Sequence, residues 1–263
     1  MPLPNYGEKY DARAIVTPEQ LISDAESADA PLYAEAPEGV LVCYQSHFFD
    51  RALDAHGTER LDGDSDLFEY ELHRFTDLET DADLGIVGRF GIGAPTTALV
   101  MEVLRAEGTE AFLSVGWAGC LQPDVPQSAF VVCEEAIRDE GVSHHYLPDA
   151  ERVAASGSLL EALERAVVAA GGDARVGPTW TTDALFRETI PEVEHYADLG
   201  VLTVDMEAAA TFAVAEYRDV DAGALFLVSD YLTTDDWTPA FGESLGVDDA
   251  LPVALDALAS AVE

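Results

Sequence analysis

Residues 84–119 read LGIVGRFGIGAPTTALVMEVLRAEGTEAFLSVGWAG. The opening run, Leu84–Gly88, has the length and apolar content of a buried strand. A turn follows with Gly91 and Gly93, then a helix over Thr96–Glu107, with Pro95 just ahead of it at a favoured early position. Leu99, Val100, Val103 and Leu104 are predicted to share that helix's apolar face. A second apolar strand, Ala111–Val115, leads into Gly116-Trp-Ala-Gly119. Strand, helix and strand in immediate succession predict an α/β fold.

The pattern continues on both sides. Val40–Cys43 reads as a short apolar strand and Phe68–Phe75 as a half-buried one. Ala129–Cys133 is another strand, and Ser158–Ala170 a helix capped by Ser158 with Glu161 three residues on and closed by Gly171-Gly172. A strand over Ala174–Thr179, a helix over Met206–Glu216, a strand over Ala222–Val228 and a closing helix over Asp248–Val262 complete the series. No repeat interrupts it. The expectation is a single α/β domain over residues 39–263, three layers deep around a mixed central sheet. Residues 1–38, Pro-rich, acidic and weakly periodic, are expected to lie as an N-terminal arm over the body.

Composition narrows the function. The 263 residues carry 51 Asp+Glu against 13 Lys+Arg, a formal charge of −38. Lys9 is the one lysine. Such a surface suits concentrated salt, where charge repulsion is screened within roughly 3 Å. It argues against nucleic-acid or anionic-membrane partners, which need a basic stripe. The longest uncharged stretch, Ala111–Pro123, is 13 residues, too short to span a bilayer. The N-terminus lacks the basic and apolar regions of a secretory leader. Cys43, Cys120 and Cys133 lie in apolar runs without metal spacing and read as buried thiols of a reducing cytoplasm. The histidines show no metal pattern; His144 and His145 would point to opposite faces of a strand. No metal or organic cofactor is expected.

Four segments carry candidate chemistry. The Gly91–Gly93 turn leaves backbone N–H groups at the positive end of a helix, where an anion can sit; a ligand-free tight connection explains the spacing equally well. Thr96 stands where a dinucleotide fingerprint needs glycine, and no Gly-Lys-Ser/Thr follows for a P-loop. Trp117, Ala118 and Gly119 follow a strand end, where open α/β sheets place ligands; core packing is the other reading. Glu207 lies between Met206 and three alanines, and a buried carboxylate there can accept two hydroxyls of a vicinal diol; the alternative is a solvated first-turn acid. Leu225–Asp230 is an apolar strand ending in an acid, placed for proton transfer or for capping.

Gly91-Ile-Gly-Ala-Pro95, Val115-Gly-Trp-Ala-Gly119, Thr181-Thr-Asp-Ala-Leu-Phe186, Asp205-Met-Glu-Ala-Ala209 and Val228-Ser-Asp230 together resemble the nucleoside phosphorylase-I family. That group contains uridine phosphorylase, hexameric purine nucleoside phosphorylase and the adenosylhomocysteine/methylthioadenosine nucleosidases. The pieces occur in family order from about Val40 to the C-terminus.

The resemblance implies ribosyl transfer at the glycosidic bond through an oxocarbenium-like transition state. Phosphate is the co-substrate, and free base and ribose 1-phosphate are the products. Glu207 resembles the ribose-binding acid, Met206 the residue against the sugar, and Asp230 the purine-side acid. Leu185, Phe186 and Arg187 fall where pyrimidine enzymes form their base pocket, so the base stays open. The resemblance also implies a homo-oligomer, a dimer to a hexamer.

The departures lie in the phosphate site. Phosphorylases of the family have a Gly-Asp turn and then Arg after the first strand, where this chain reads Cys43-Tyr-Gln-Ser-His-Phe-Phe-Asp-Arg51. They have arginine where it has Ser114, and Thr or Ser where it has Trp117. Arg51 and Arg89 are the candidate replacements, with Gly91, Gly93 and Ser114 around the anion; surface ion pairs are the alternative for both arginines. The nucleosidase branch needs a carboxylate base near the first strand, usually a Glu in the loop after it, and this loop has no Glu, only His47 and Asp50. Phosphorolysis therefore ranks ahead of hydrolysis, and a nucleoside-binding protein without catalysis is the third reading.

Overall fold

A computed structural model describes residues 6–27, 35–61, 69–232, 237–239 and 246–263. The chain begins with α1 (Pro18–Ser27), β1 (Gly39–Cys43), α2 (Ser46–Ala55), β2 (Thr58–Leu61), β3 (Glu71–Phe75) and β4 (Leu84–Gly88). Next come α3 (Ala94–Ala106), β5 (Ala111–Cys120), β6 (Phe130–Asp139), α4 (Ser143–Tyr146), β7 (Arg152–Ala154) and α5 (Gly157–Ala169). The last third holds β8 (Ala174–Thr182), α6 (Ile190–Asp198), β9 (Thr203–Asp205), α7 (Ala208–Arg218), β10 (Asp221–Leu232), β11 (Trp237–Pro239) and α8 (Val247–Val262).

β1 is buried along its whole length because it runs parallel between β4 and β5, Leu41 lying opposite Ile86 on one side and Leu113 on the other. Strands covered on both faces read as continuous apolar runs, which is why these three stand out in the sequence. β3 and β2 extend this half antiparallel. Beyond β5 the sheet turns back on itself. β5 pairs with β10, β10 with β6, β6 with β8, β8 with β9, and β9 with β5. The single α/β domain thus has a mixed central sheet, as expected, with five of its strands closed into a ring.

Helices cover both faces. α3 and α7 bring Val100, Met101, Leu104 and Phe212 to one apolar cluster. α2, α5 and α8 supply Phe48, Phe49, Leu163 and Leu258 to the other. A third cluster around Trp180, Val193 and Val204 seats α6 against β8 and β9. Each fully buried side chain of this size contributes roughly 1.5–3 kcal/mol of transfer free energy.

Several local expectations change. Leu99 is half exposed, and the buried face of α3 carries Met101 and Thr97 instead. Thr97 is admitted because its hydroxyl donates to the Gly93 carbonyl at 3.0 Å. Ser156, not Ser158, occupies the cap position of α5, and its hydroxyl accepts the Ala222 N–H at 2.8 Å, tying the helix start to β10. His144 and His145 lie on the short helix α4, not on a strand. Phe68, the expected start of β3, lies outside the described residues.

Ahead of β1, α1 packs on α3, and the Tyr10 hydroxyl donates to the His144 carbonyl. All three cysteines are buried thiols. Among the described residues no helix is long and apolar enough to cross a membrane, and no His, Cys, Asp and Glu cluster has the makings of a metal site.

Candidate active site

The site is organised by Asp205, the last residue of β9. One carboxylate oxygen accepts the N–H groups of Glu207 at 3.0 Å and Ala208 at 2.6 Å, so Asp205 satisfies the first orphan donors of α7. The other accepts the hydroxyls of Thr181 at 2.7 Å and Thr179 at 3.3 Å. Thr181 in turn accepts the Ala209 N–H. This network moves the helix start past Met206 and leaves Glu207 in the non-helical cap position.

Glu207 is 8 % exposed. Its Oε1 accepts the Gly93 N–H at 2.7 Å, so the amide at the glycine turn meets the chain's own carboxyl group. Gly91 and Gly93 make this possible with φ of +90° and +99°, conformations that a side chain would strain. Burial, and then the charge of Asp205, push Glu207 up to about 8. Burial raises Asp205 too, against the four donors that favour its ionised form. The proton therefore sits more readily on Glu207.

Met206, Glu207 and Asp230 face one cavity of about 790 Å³. Trp117, Ala118 and Gly119 from β5 form one wall, and Leu185 and Phe186, in a single 3-10 turn, form another. Phe186 is 95 % exposed at the mouth. β10 pairs with β5 across a bulge between Val228 and Asp230, so the consecutive residues Ser229 and Asp230 both reach the cavity. Asp230 accepts hydrogen bonds from the Ser229 hydroxyl and from Trp237 Nε1.

Glu188 shares this end of the cavity. Burial, then the charges of Asp230 and Glu192, raise it to about 7. The sequence reading missed Glu188, Asp205 and Gln45, which come to one cavity from three separate parts of the chain. Asp205, close ahead of Glu207 in the chain, was the one available signal.

The far end, where the family's phosphate ligands would fall, is aromatic. Tyr44 meets Ser114 at 3.0 Å and Phe90 edge-on. Trp117 packs edge-on against Phe48 and stacks on His47. Gln45 lies over Gly116, where a methyl group would approach its Oε1 to 2.7 Å. Gln45 Oε1 and Trp117 Nε1 are buried without a hydrogen-bond partner.

The arginines expected here lie elsewhere. Arg51 pairs with Asp248, and Arg89 with Asp50 and Glu71 while covering the Phe49 ring. Arg187 is exposed and outside the cavity. On a surface this rich in acids, an arginine finds a carboxylate locally. All thirteen cationic side chains belong to described residues and none lines the cavity, whereas Glu188, Asp205, Glu207 and Asp230 do.

Comparison with known proteins agrees with this architecture. Over 138 residues the chain is 33 % identical to a guanosine phosphorylase of Halorubrum lacusprofundi, a match spanning 52 % of this chain and 57 % of that one. It is 30 % identical over 169 residues to a DeoD-type purine nucleoside phosphorylase of Bacillus cereus, spanning 64 % and 72 %. The solved structure of an AMP nucleosidase from Bacteroides thetaiotaomicron shares the fold, with a TM-score of 0.72 at 21 % identity over 92 % of this chain and 96 % of that one. The profile of the phosphorylase superfamily matches residues 79–263, and the chain belongs to that superfamily.

Proposed function

We propose that this chain cleaves the N-glycosidic bond of a nucleoside and that water, rather than phosphate, accepts the ribosyl group. The observation that carries this reading is the lining of the cavity: among the described residues it holds four carboxyl groups and no cation. A cationic, oxocarbenium-like ribosyl group is stabilised by nearby carboxyl groups to the extent that they ionise, which Glu188 and Glu207 do only as pH rises towards 7 and 8. A phosphate dianion in the same place gains no charge partner from its own chain and is repelled.

Glu207 accepts the sugar's adjacent hydroxyls, Met206 lies against the ring, and Asp230 stands at the departing base. The C–N bond breaks with its electron pair passing to the base nitrogen, which takes up a proton. Water adds to the anomeric carbon and releases one, so the proton count balances. Gln45 Oε1 and Trp117 Nε1, an acceptor and a donor without partners, are the kind of pair that a water molecule satisfies.

Phosphorolysis is the second reading, favoured by the activities named for the two sequence relatives. One experiment separates them: base release from guanosine, inosine, adenosine and uridine in molar KCl, with and without phosphate. Release that is independent of phosphate, with ribose as product, is the expected result. Strict dependence, with ribose 1-phosphate as product, overturns it. Calorimetric binding without turnover would instead identify a nucleoside-binding protein.

A further inference from the structure

We infer that Asp205 is a positioning residue for Glu207: it keeps the negative charge of the pair on itself and the proton on Glu207, and so makes recognition of the ribose 2′,3′-diol depend on pH. The inference rests on the nucleoside-cleaving reading and adds to it a regulator of the sugar end.

The two carboxyl groups flank Met206 in the chain and differ in what surrounds them. Four donors meet buried Asp205: the N–H groups of Glu207 at 3.0 Å and Ala208 at 2.6 Å on one oxygen, the hydroxyls of Thr181 at 2.7 Å and Thr179 at 3.3 Å on the other. Each of them favours the ionised form. Among the described residues Glu207 has two donors, the Gly93 N–H at 2.7 Å on Oε1 and the Met206 N–H at 3.3 Å on Oε2. The longer contact leaves Oε2 as the place for a proton. Neighbouring like charges resist ionising together, so the better-solvated Asp205 takes the charge. No cation relieves the pair. The other ionisable groups facing it are Tyr44, raised by burial and then by Glu207, and Cys133 on β6, raised by burial and then by Asp205. Glu188 and Asp230 stand further along the cavity.

The state of Glu207 decides how much of a sugar it can hold. With a proton on Oε2 and the Gly93 N–H on Oε1, it has room to accept one hydroxyl. Ionised, it accepts one on each oxygen, which matches a vicinal diol. A 2′-deoxyribose brings only its 3′-hydroxyl to that place and is served by either state. Preference for ribose over deoxyribose therefore grows as Glu207 loses its proton. Asp205, whose oxygens are taken up by the protein, acts on the sugar through Glu207.

The test reads one ratio across pH in molar KCl: kcat/KM for a ribonucleoside over that for its 2′-deoxy counterpart, with inosine and uridine as the pairs. Titration of the base, and of the acids beside it, acts on both members of a pair and cancels. In wild type the ratio is expected to rise about tenfold between about pH 6 and about pH 9, in line with one hydrogen bond gained by a charged acceptor. Asp205→Asn and Asp205→Ser remove the charge but keep an oxygen that caps α7. The Asn amide would face Thr181 and Thr179, whose hydroxyls can turn to accept it. Each variant should move the rise down by about one pH unit or more, with melting temperature as the check on folding. Glu207→Gln should leave the ratio flat. A purely structural Asp205 would change melting and leave the rise where it is. A rise unmoved in both variants, no rise in wild type, or a wild-type rise in the ordinary carboxyl range overturns this inference and leaves nucleoside cleavage standing. Where a pair is not cleaved, the same ratio is read from dissociation constants by calorimetry. Absence of both cleavage and binding removes the two readings together.

Discussion

The two ends of the cavity are built on opposite principles. At the sugar end, polar groups are buried and satisfied: Asp205 has four donors, and Glu207 is held by Gly93 across the domain. At the other end, Trp117 lines the cavity and packs edge to face with Phe48 behind it, and Tyr44 packs edge to face with Phe90. The first end is built of satisfied hydrogen bonds, while the second carries no charged side chain among the described residues of the cavity lining. On the reading proposed above, recognition of the sugar and choice of the acceptor fall to different ends of the cavity.

Substitutions sharpen the contrast. Glu207→Ala should cost the most, lowering kcat/KM for any nucleoside that is cleaved by about a hundredfold to a thousandfold, as for loss of one preorganised contact in a transition state. A smaller loss would shift the weight away from the sugar end. Asp230→Asn should lower the rate by about tenfold to a hundredfold, at the low end for an acid–base group because Glu188 offers a second carboxyl beside it. At the aromatic end, Tyr44→Phe should leave turnover intact and lower stability by about 1 kcal/mol, the usual net worth of one hydrogen bond. A large loss of turnover in that variant would mean that the aromatic end takes part in the chemistry.

Acidity gives a subtler test. Glu207 titrates near 8 in the folded chain, above an ordinary carboxyl group, because of burial and Asp205. A raised acid favours the folded state below its unfolded value, near 4.5, and that stability is lost as pH climbs towards and past 8. Melting temperature in molar KCl should fall between about pH 5 and 9. Glu207→Gln should flatten the slope while keeping an acceptor for Gly93. An unchanged slope would assign the pH dependence to other acids. The smallest effect belongs to Arg51→Ala, whose exposed pair with Asp248 should matter to neither melting nor turnover.

Much of the fold was readable because the central strands are continuous apolar runs and α3, α5 and α8 are strongly periodic. The ring closure was not, since β9 is three residues long and has no pattern of its own. At the site, Glu207 and Asp230 were visible as acids in apolar company. Asp205 was hidden by its ordinary position before a helix, and Glu188 by an exposed-looking turn. Arg51 and Arg89 misled because scarcity of positive charge suggests importance, whereas abundance of negative charge supplies each arginine with a partner nearby. What decides their place is three-dimensional distance, which spacing along the chain does not encode.

The extra residue in β10 makes the acid's presence a matter of counting. Side chains along a regular strand alternate, so neighbours cannot both look the same way. Ser229 breaks that parity, which lets it stand beside Asp230 and donate to it. Shorten the strand by that one serine and strict alternation returns, leaving a carboxyl whose direction depends on odd or even.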